Sequence, residues 1–155
     1  MKNLNRIIIF LFFNFLALSI GVLVMKDGPL TNWYLSLNKA PWTPEGWVFG
    51  VAWSTIMVCF SFYMTKLSFQ YNYLDKKILS LYVAQWVLNV SWNYFFFNKH
   101  LTIIGLVVIT LLWLLIGYFT FKHIKKLKWT SLFVLPYLIW MTIATSLNLY
   151  IVLNN

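Results

Sequence analysis

Residues 101–121 read LTIIGLVVITLLWLLIGYFTF, twenty-one positions without a charge or a histidine. A helix rises about 1.5 Å per residue, so a run of this length reaches across a hydrocarbon core about 30 Å thick. No water is available there to bond exposed peptide groups, so such a run crosses as a helix. Working outward, four more charge-free stretches appear: Ile7 to Met25, Gly46 to Thr65, Ile78 to Asn98, and Trp129 to the C-terminus. The sequence therefore predicts an all-α integral membrane protein, a five-transmembrane-helix bundle forming one domain over 1–155. Its helices are expected at about 7–25, 44–66, 78–98, 101–122 and 129–153, with an outer loop over 26–43.

Composition agrees. Of 155 residues, 61% are hydrophobic, 21% aromatic and only 10% charged, whereas soluble domains are roughly 45–50% apolar and about 25% charged. Disorder is excluded by the same figures. Cys59 is the single cysteine, so the chain holds no internal disulfide and its redox compartment is unreadable. The net charge of +9 comes from basic residues in short clusters between apolar runs. That pattern reads as membrane topology, and no nucleic-acid partner is expected.

Five crossings put the N-terminus and the segments after the second and fourth spans on one side. That side carries Lys2, Arg6, Lys66, Lys76, Lys77, Lys122, Lys125, Lys126 and Lys128, and the other Lys26, Lys39 and Lys99. Nine against three places the N-terminus in the cytoplasm and the C-terminus outside, in a multi-pass protein of the cell membrane. Lys2 and Arg6 before an apolar run, with Ala17-Leu18-Ser19, also suit a signal peptide. The run continues to Met25, however, and is read as a retained helix. Short connections predict that consecutive helices are antiparallel neighbours, and only Lys26 to Glu45 is long enough for structure of its own.

None of the five spans contains Asp, Glu, Lys, Arg or His, which disfavours an ion-coupled pump. His100 and His123 lie at span ends, and no paired Cys/His set, Gly-x-Ser-x-Gly or phosphate loop occurs. No metal centre and no resident cofactor are expected. Chemistry would instead rest on uncharged polar and aromatic side chains. Gln85, Asn89, Trp92 and Asn93 share one face of the third span, and Tyr137, Trp140, Ala144 and Asn148 share one face of the fifth. Two such faces would make an amphipathic pocket of stacking indoles, orienting amides and space beside Ala144. Equally, membrane amides serve as interhelical glue worth about 0.6 to 2 kcal/mol, and Trp marks the water interface.

In the loop, Trp33, Tyr34, Leu35 and Leu37 form an apolar cluster suited either to covering the bundle mouth or to anchoring in the interface. Thr43-Pro44-Glu45 reads as a helix start, with Thr43 as N-cap and Pro44 at the first helical position. Asn14, Ala17 and Gly21 in the first span, and Thr110, Trp113 and Gly117 in the fourth, would face either the bundle or a second chain.

Three motifs together resemble the tryptophan-rich sensory protein and translocator protein family, also called TspO. They are Ala40-Pro41-Trp42-Thr43-Pro44 running into Phe49-Gly50-Val51-Ala52-Trp53; Gln85-Trp86-Val87-Leu88-Asn89-Val90-Ser91-Trp92 with Phe95-Phe96; and Pro136-Tyr137-Leu138-Ile139-Trp140 followed by Ala144-Thr145-Ser146-Leu147-Asn148. The resemblance covers nearly the whole chain. It implies a homodimeric five-helix bundle whose first loop covers a pocket for protoporphyrin-type tetrapyrroles and related flat apolar ligands. Carried over by position, the ligand-binding residues are Tyr34, Pro44, Trp53, Gln85, Asn89, Trp92, Trp140 and Ala144. Trp53 and Trp140 match the tryptophans associated with porphyrin chemistry. Two departures stand out. Many members have a second proline where this chain has Glu45, and Tyr150 is followed by Ile-Val-Leu-Asn-Asn, without the basic residue of the proposed cholesterol motif. The resemblance implies a membrane receptor or sensor binding a porphyrin; light-dependent porphyrin degradation and passive tetrapyrrole or lipid transport are the alternatives.

Overall fold

The computed structural model describes residues 2–71 and 75–155. Its long helices are α1 (Lys2–Met25), α3 (Gly46–Gln70), α4 (Lys76–Asn93), α5 (Thr102–Leu127) and α6 (Leu135–Asn154); a short α2 (Asn32–Ser36) lies in the first loop. Among the described residues there is no strand. By length and composition α1, α3 and the α5–α6 stretch qualify as membrane spans. α4 is more polar because it carries Gln85 and Asn89, both buried inside the bundle, where intramembrane polar groups belong. Large apolar side chains such as Phe12, Leu23, Leu114 and Ile139 are exposed on the outside, which is the surface a bilayer would solvate. The protein is a five-helix integral membrane bundle.

Local chemistry sets most of the helix ends. The Asp75 carboxylate accepts from the Ile78 amide at 3.0 Å and caps α4. Thr31 caps α2 by accepting from the Tyr34 amide at 3.3 Å. Two expected starts are corrected. α3 begins at Gly46 with Glu45 as the N-cap residue, because Thr43 is engaged elsewhere: its amide and its hydroxyl both donate to Ala40 O, at 2.9 and 2.7 Å, closing a tight turn. The Glu45 carboxylate in turn accepts from Trp47 Nε1 at 2.7 Å. The last span opens as a 3-10 stretch over Lys128–Val134 and becomes α-helical only at Leu135. Pro136 lies in the first turn of α6, where its missing N–H costs nothing; deeper in a helix its ring would clash with the preceding turn.

The helices close into a ring in the order α3, α1, α4, α5, α6 and back to α3. The expectation that consecutive helices are neighbours therefore fails between α3 and α4, which α1 separates at backbone level. Asn14 explains the insertion. Its amide nitrogen donates to Ser61 Oγ at 2.8 Å and Met57 O at 3.3 Å on α3, while its oxygen accepts from Tyr82 OH at 2.7 Å on α4. Beside it, Ala17 is buried, and a Cβ on Gly21 would lie 2.9 Å from Asn93 Nδ2. The small-residue face of α1 is thus used within this chain, so it offers no independent argument for a second chain. Trp113, half-buried, lies along the outer side of the α5–α6 seam, donating to the exposed Thr142 Oγ1 at 3.0 Å. Aromatic rings fill the centre: Phe60 meets Tyr63, Tyr82, Phe119 and Tyr137 at centroid distances of 5.3 to 6.3 Å.

Candidate functional site

The polar faces of α4 and α6 meet as their spacing implies, and they meet on one atom. Gln85 Nε2 and Asn89 Nδ2 both donate to the Tyr137 phenol oxygen, at 2.7 and 2.9 Å. All three residues are buried. In hydrocarbon an amide without a partner is costly, so this convergence ties the two helices together. One face of the hub is left open: Gln85 Oε1 is buried and has no hydrogen-bond partner. Trp53 of α3 lies against the hub, with its ring 6.1 Å from that of Tyr137.

One turn past Asn89 on α4 and about three turns past Tyr137 on α6, Trp92 Nε1 donates to Asn148 Oδ1 at 3.0 Å, and Asn148 Nδ2 donates to Thr102 O at 3.1 Å. A Cβ on Gly105 would lie 3.3 Å from Asn148 Oδ1 and 3.1 Å from Phe96 Cβ, so only glycine fits there without displacing the amide or the ring. Above this pair is a small cavity of about 30 Å³ lined by Tyr34, Phe49, Trp92, Phe96, Phe97, Ala144, Leu147, Asn148 and Ile151. Trp140 stands edge-on to Phe49, centroids 5.2 Å apart, and its Nε1 is buried without a partner. An indole N–H normally finds an acceptor when buried, so an unused donor stands behind the cavity wall, and the hub holds an unused acceptor.

The first loop roofs this cavity. Trp33 stacks on His100 with centroids 4.0 Å apart and planes 10° apart, and Tyr34 packs on Phe97 at 5.3 Å. Burial pushes the Tyr34 phenol above its ordinary value. Lys39 Nζ donates to Tyr34 O, Leu35 O and Leu37 O at 3.0 to 3.3 Å, closing the C-terminal end of α2. The loop is fastened to the end of α6 by a reciprocal pair: the Asn38 amide donates to Asn155 Oδ1 at 2.8 Å, and Asn155 Nδ2 donates to Asn38 O at 3.2 Å. Trp42 adds a bond from Nε1 to Ser146 Oγ at 3.2 Å. Of the loop cluster, Trp33, Tyr34 and Leu37 pack inward, while Leu35 is exposed.

The sequence-derived set is thus partly assembled. Tyr34, Trp92 and Ala144 line the cavity. Trp140 adjoins it through Phe49, and Gln85, Asn89 and Trp53 form the hub below. Pro44 is half-buried and does not line the cavity. Phe49, Phe96, Phe97, Leu147 and Ile151 also line it and are not among the site residues expected from the sequence. Phe97 becomes part of the wall because α4 runs on through a single π turn over Tyr94–Asn98, which rotates its register.

The TspO/MBR family model matches residues 7–153. The chain belongs to the TspO/MBR family. Its relatives in that family include Protein CrtK of Rhodobacter capsulatus, 36% identical over 75% of this chain and 74% of that protein. The tryptophan-rich sensory protein of Cereibacter sphaeroides is 32% identical over 89% of this chain and 87% of its own length. The translocator protein of Homo sapiens is 28% identical over 86% and 82% respectively. Membership in the TspO/MBR family accounts for the joint occurrence of the three sequence motifs.

Proposed function

We propose that the protein is a membrane receptor or sensor that binds a porphyrin or similar flat apolar ring system under the first loop, between α3, α4 and α6. One observation carries the reading. A cavity walled by Tyr34, Phe49, Trp92, Phe96 and Phe97, with small Ala144 at its side, is backed through Phe49 by Trp140, whose Nε1 is buried without a partner; Gln85 Oε1, also unpartnered, lies deeper, in the hub. Apolar walls with a few convergent polar groups are the common form of a small-molecule site. The rings supply stacking area, Trp140 Nε1 offers a donor and Gln85 Oε1 an acceptor.

The cavity as it stands holds about one water, whereas drug-sized ligands need roughly 300 to 1,000 Å³. Entry therefore requires the loop to lift and rings such as Tyr34 and Phe97 to move apart. With the loop stacked and hydrogen-bonded over the cavity the site is closed, and binding is coupled to its opening. The test is titration of protoporphyrin IX in the dark into the protein in phospholipid discs. A saturable shift of the Soret band beyond that given by empty discs is expected; simple partitioning equal to empty discs overturns the proposal. Repeating the measurement under illumination separates receptor from porphyrin-degrading enzyme, since only the enzyme loses Soret intensity with turnover.

A further inference from the structure

A recess larger than the cavity under the loop lies elsewhere in the molecule. It is a groove of about 350 Å³ at the opposite end of the bundle, where α5 hands over to the 3-10 stretch before α6. Its walls are almost wholly apolar: Ile124 from the last turns of α5, and Trp129, Leu132 and Leu135 from the connection. Lys128 stands at its edge, held at φ 48° at the point where the chain turns out of α5. Trp129 is 84% exposed, the most exposed of the large apolar side chains among the described residues. An indole this open is suited to the headgroup layer of a bilayer, where one end is apolar and the other wet.

The charge around the groove has one sign. Lys122, Lys125, Lys126 and Lys128 fall within seven residues, and the chain contains no Asp or Glu after Asp75. Asp75 itself is engaged as the cap of α4. An apolar trough that ends in unneutralised lysines matches a molecule with a hydrocarbon tail and an anionic head. We propose that this groove is a binding site for one anionic phospholipid of the adjoining leaflet. Its acyl chain lies along Ile124, Leu132 and Leu135, its glycerol region rests against Trp129, and its phosphate pairs with Lys128, with Lys125 one turn away. Basic recesses between membrane helices recognise anionic headgroups by this chemistry. The proposal stands on the membrane fold alone and is independent of the ligand under the loop and of which leaflet this end faces.

The test uses the full chain in phosphatidylcholine discs containing a minor fraction of either brominated phosphatidylglycerol or brominated phosphatidylcholine. Bromine quenches nearby indoles, and the difference between the parent and Trp129→Phe isolates the Trp129 signal. Phosphatidylglycerol is expected to quench Trp129 at severalfold lower mole fraction than phosphatidylcholine, since one lysine near the surface contributes about fivefold in affinity. Lys128→Gln should remove most of that preference while leaving the fold, because glutamine places the same demand on the φ 48° backbone. Lys76→Gln, a basic residue of the same end outside the groove, should leave it intact. Leu132→Phe, which fills the trough and keeps every charge, should reduce quenching by phosphatidylglycerol. Equal quenching by the two lipids overturns the proposal in favour of bulk lipid. Absence of quenching by either overturns it in favour of a protein surface, such as a second copy, covering the groove. Equal losses in Lys128→Gln and Lys76→Gln reduce the effect to general surface charge and also overturn it.

Discussion

Tyr137→Phe removes one oxygen and little else. The ring remains edge-on to Phe60 at 5.3 Å and to Trp53 at 6.1 Å, so the aromatic packing of the core is retained. What disappears is the acceptor shared by Gln85 Nε2 and Asn89 Nδ2. Interhelical hydrogen bonds in membrane proteins average about 0.6 kcal/mol with a maximum near 1.7, so two of them give roughly 1 to 3 kcal/mol. Leaving both donors buried and unpaired pushes toward the upper figure, since each such group costs about 1 to 3 kcal/mol in a protein interior. The assay is reversible unfolding from phospholipid bicelles by increasing SDS mole fraction, followed by circular dichroism. A loss of about 1 to 3 kcal/mol is expected, smaller once Gln85→Leu and Asn89→Leu are added, because the orphaned donors are then gone too. A loss below about 0.3 kcal/mol, simply additive with Asn89→Leu, would refute the view that this hub ties α4 to α6.

Asn155→Ala deletes both bonds to Asn38 and should speed porphyrin association severalfold with little change in melting temperature; stopped-flow fluorescence reads the rate. Trp53→Phe and Trp140→Phe should keep most affinity, because a phenyl ring still stacks, and should slow any light-dependent porphyrin loss, because phenylalanine is far harder to oxidise than indole. Bleaching at the parent rate in both would dismiss an electron relay through these indoles. For topology, single cysteines at Leu30, which is exposed in the loop, and at Lys125, introduced after Cys59→Ser, should label from opposite sides of intact cells, Leu30→Cys from outside. The reverse pattern would overturn the orientation drawn from the basic residues.

Much of this was readable in the sequence because the bilayer allows so few solutions. Charge-free runs of about twenty residues leave helix as the one spanning option, and an amide at helical spacing in such a run must turn inward. Hence spacing alone places Gln85, Asn89, Tyr137 and Ala144 on the inward faces, where all four are buried. The order of helices in the ring was not readable. It depends on Asn14 reaching Ser61 and Tyr82, residues 47 and 68 positions away, and no local pattern encodes that pairing. The sequence also gave no sign that Thr43 would spend its hydroxyl on Ala40 O, since the same residues suit an N-cap equally well. Phe97 was missed because a π turn breaks the 3.6-residue periodicity on which face assignment rests.

The central claim is that a ligand occupies the space beside Ala144 under the first loop. Ala144→Phe places a ring in that space, pushing aside Tyr34 and Phe97 because the closed cavity holds only about 30 Å³: if it is an openable site, the variant stays folded and loses protoporphyrin IX affinity by tenfold or more. Affinity is read from quenching of intrinsic tryptophan fluorescence, corrected for inner-filter absorption, alongside thermal unfolding of the same samples. Parent affinity together with a stability loss of about 1 to 3 kcal/mol, as overpacking of a closed helix contact would give, would contradict the account and leave the polar stripes of α4 and α6 as helix glue.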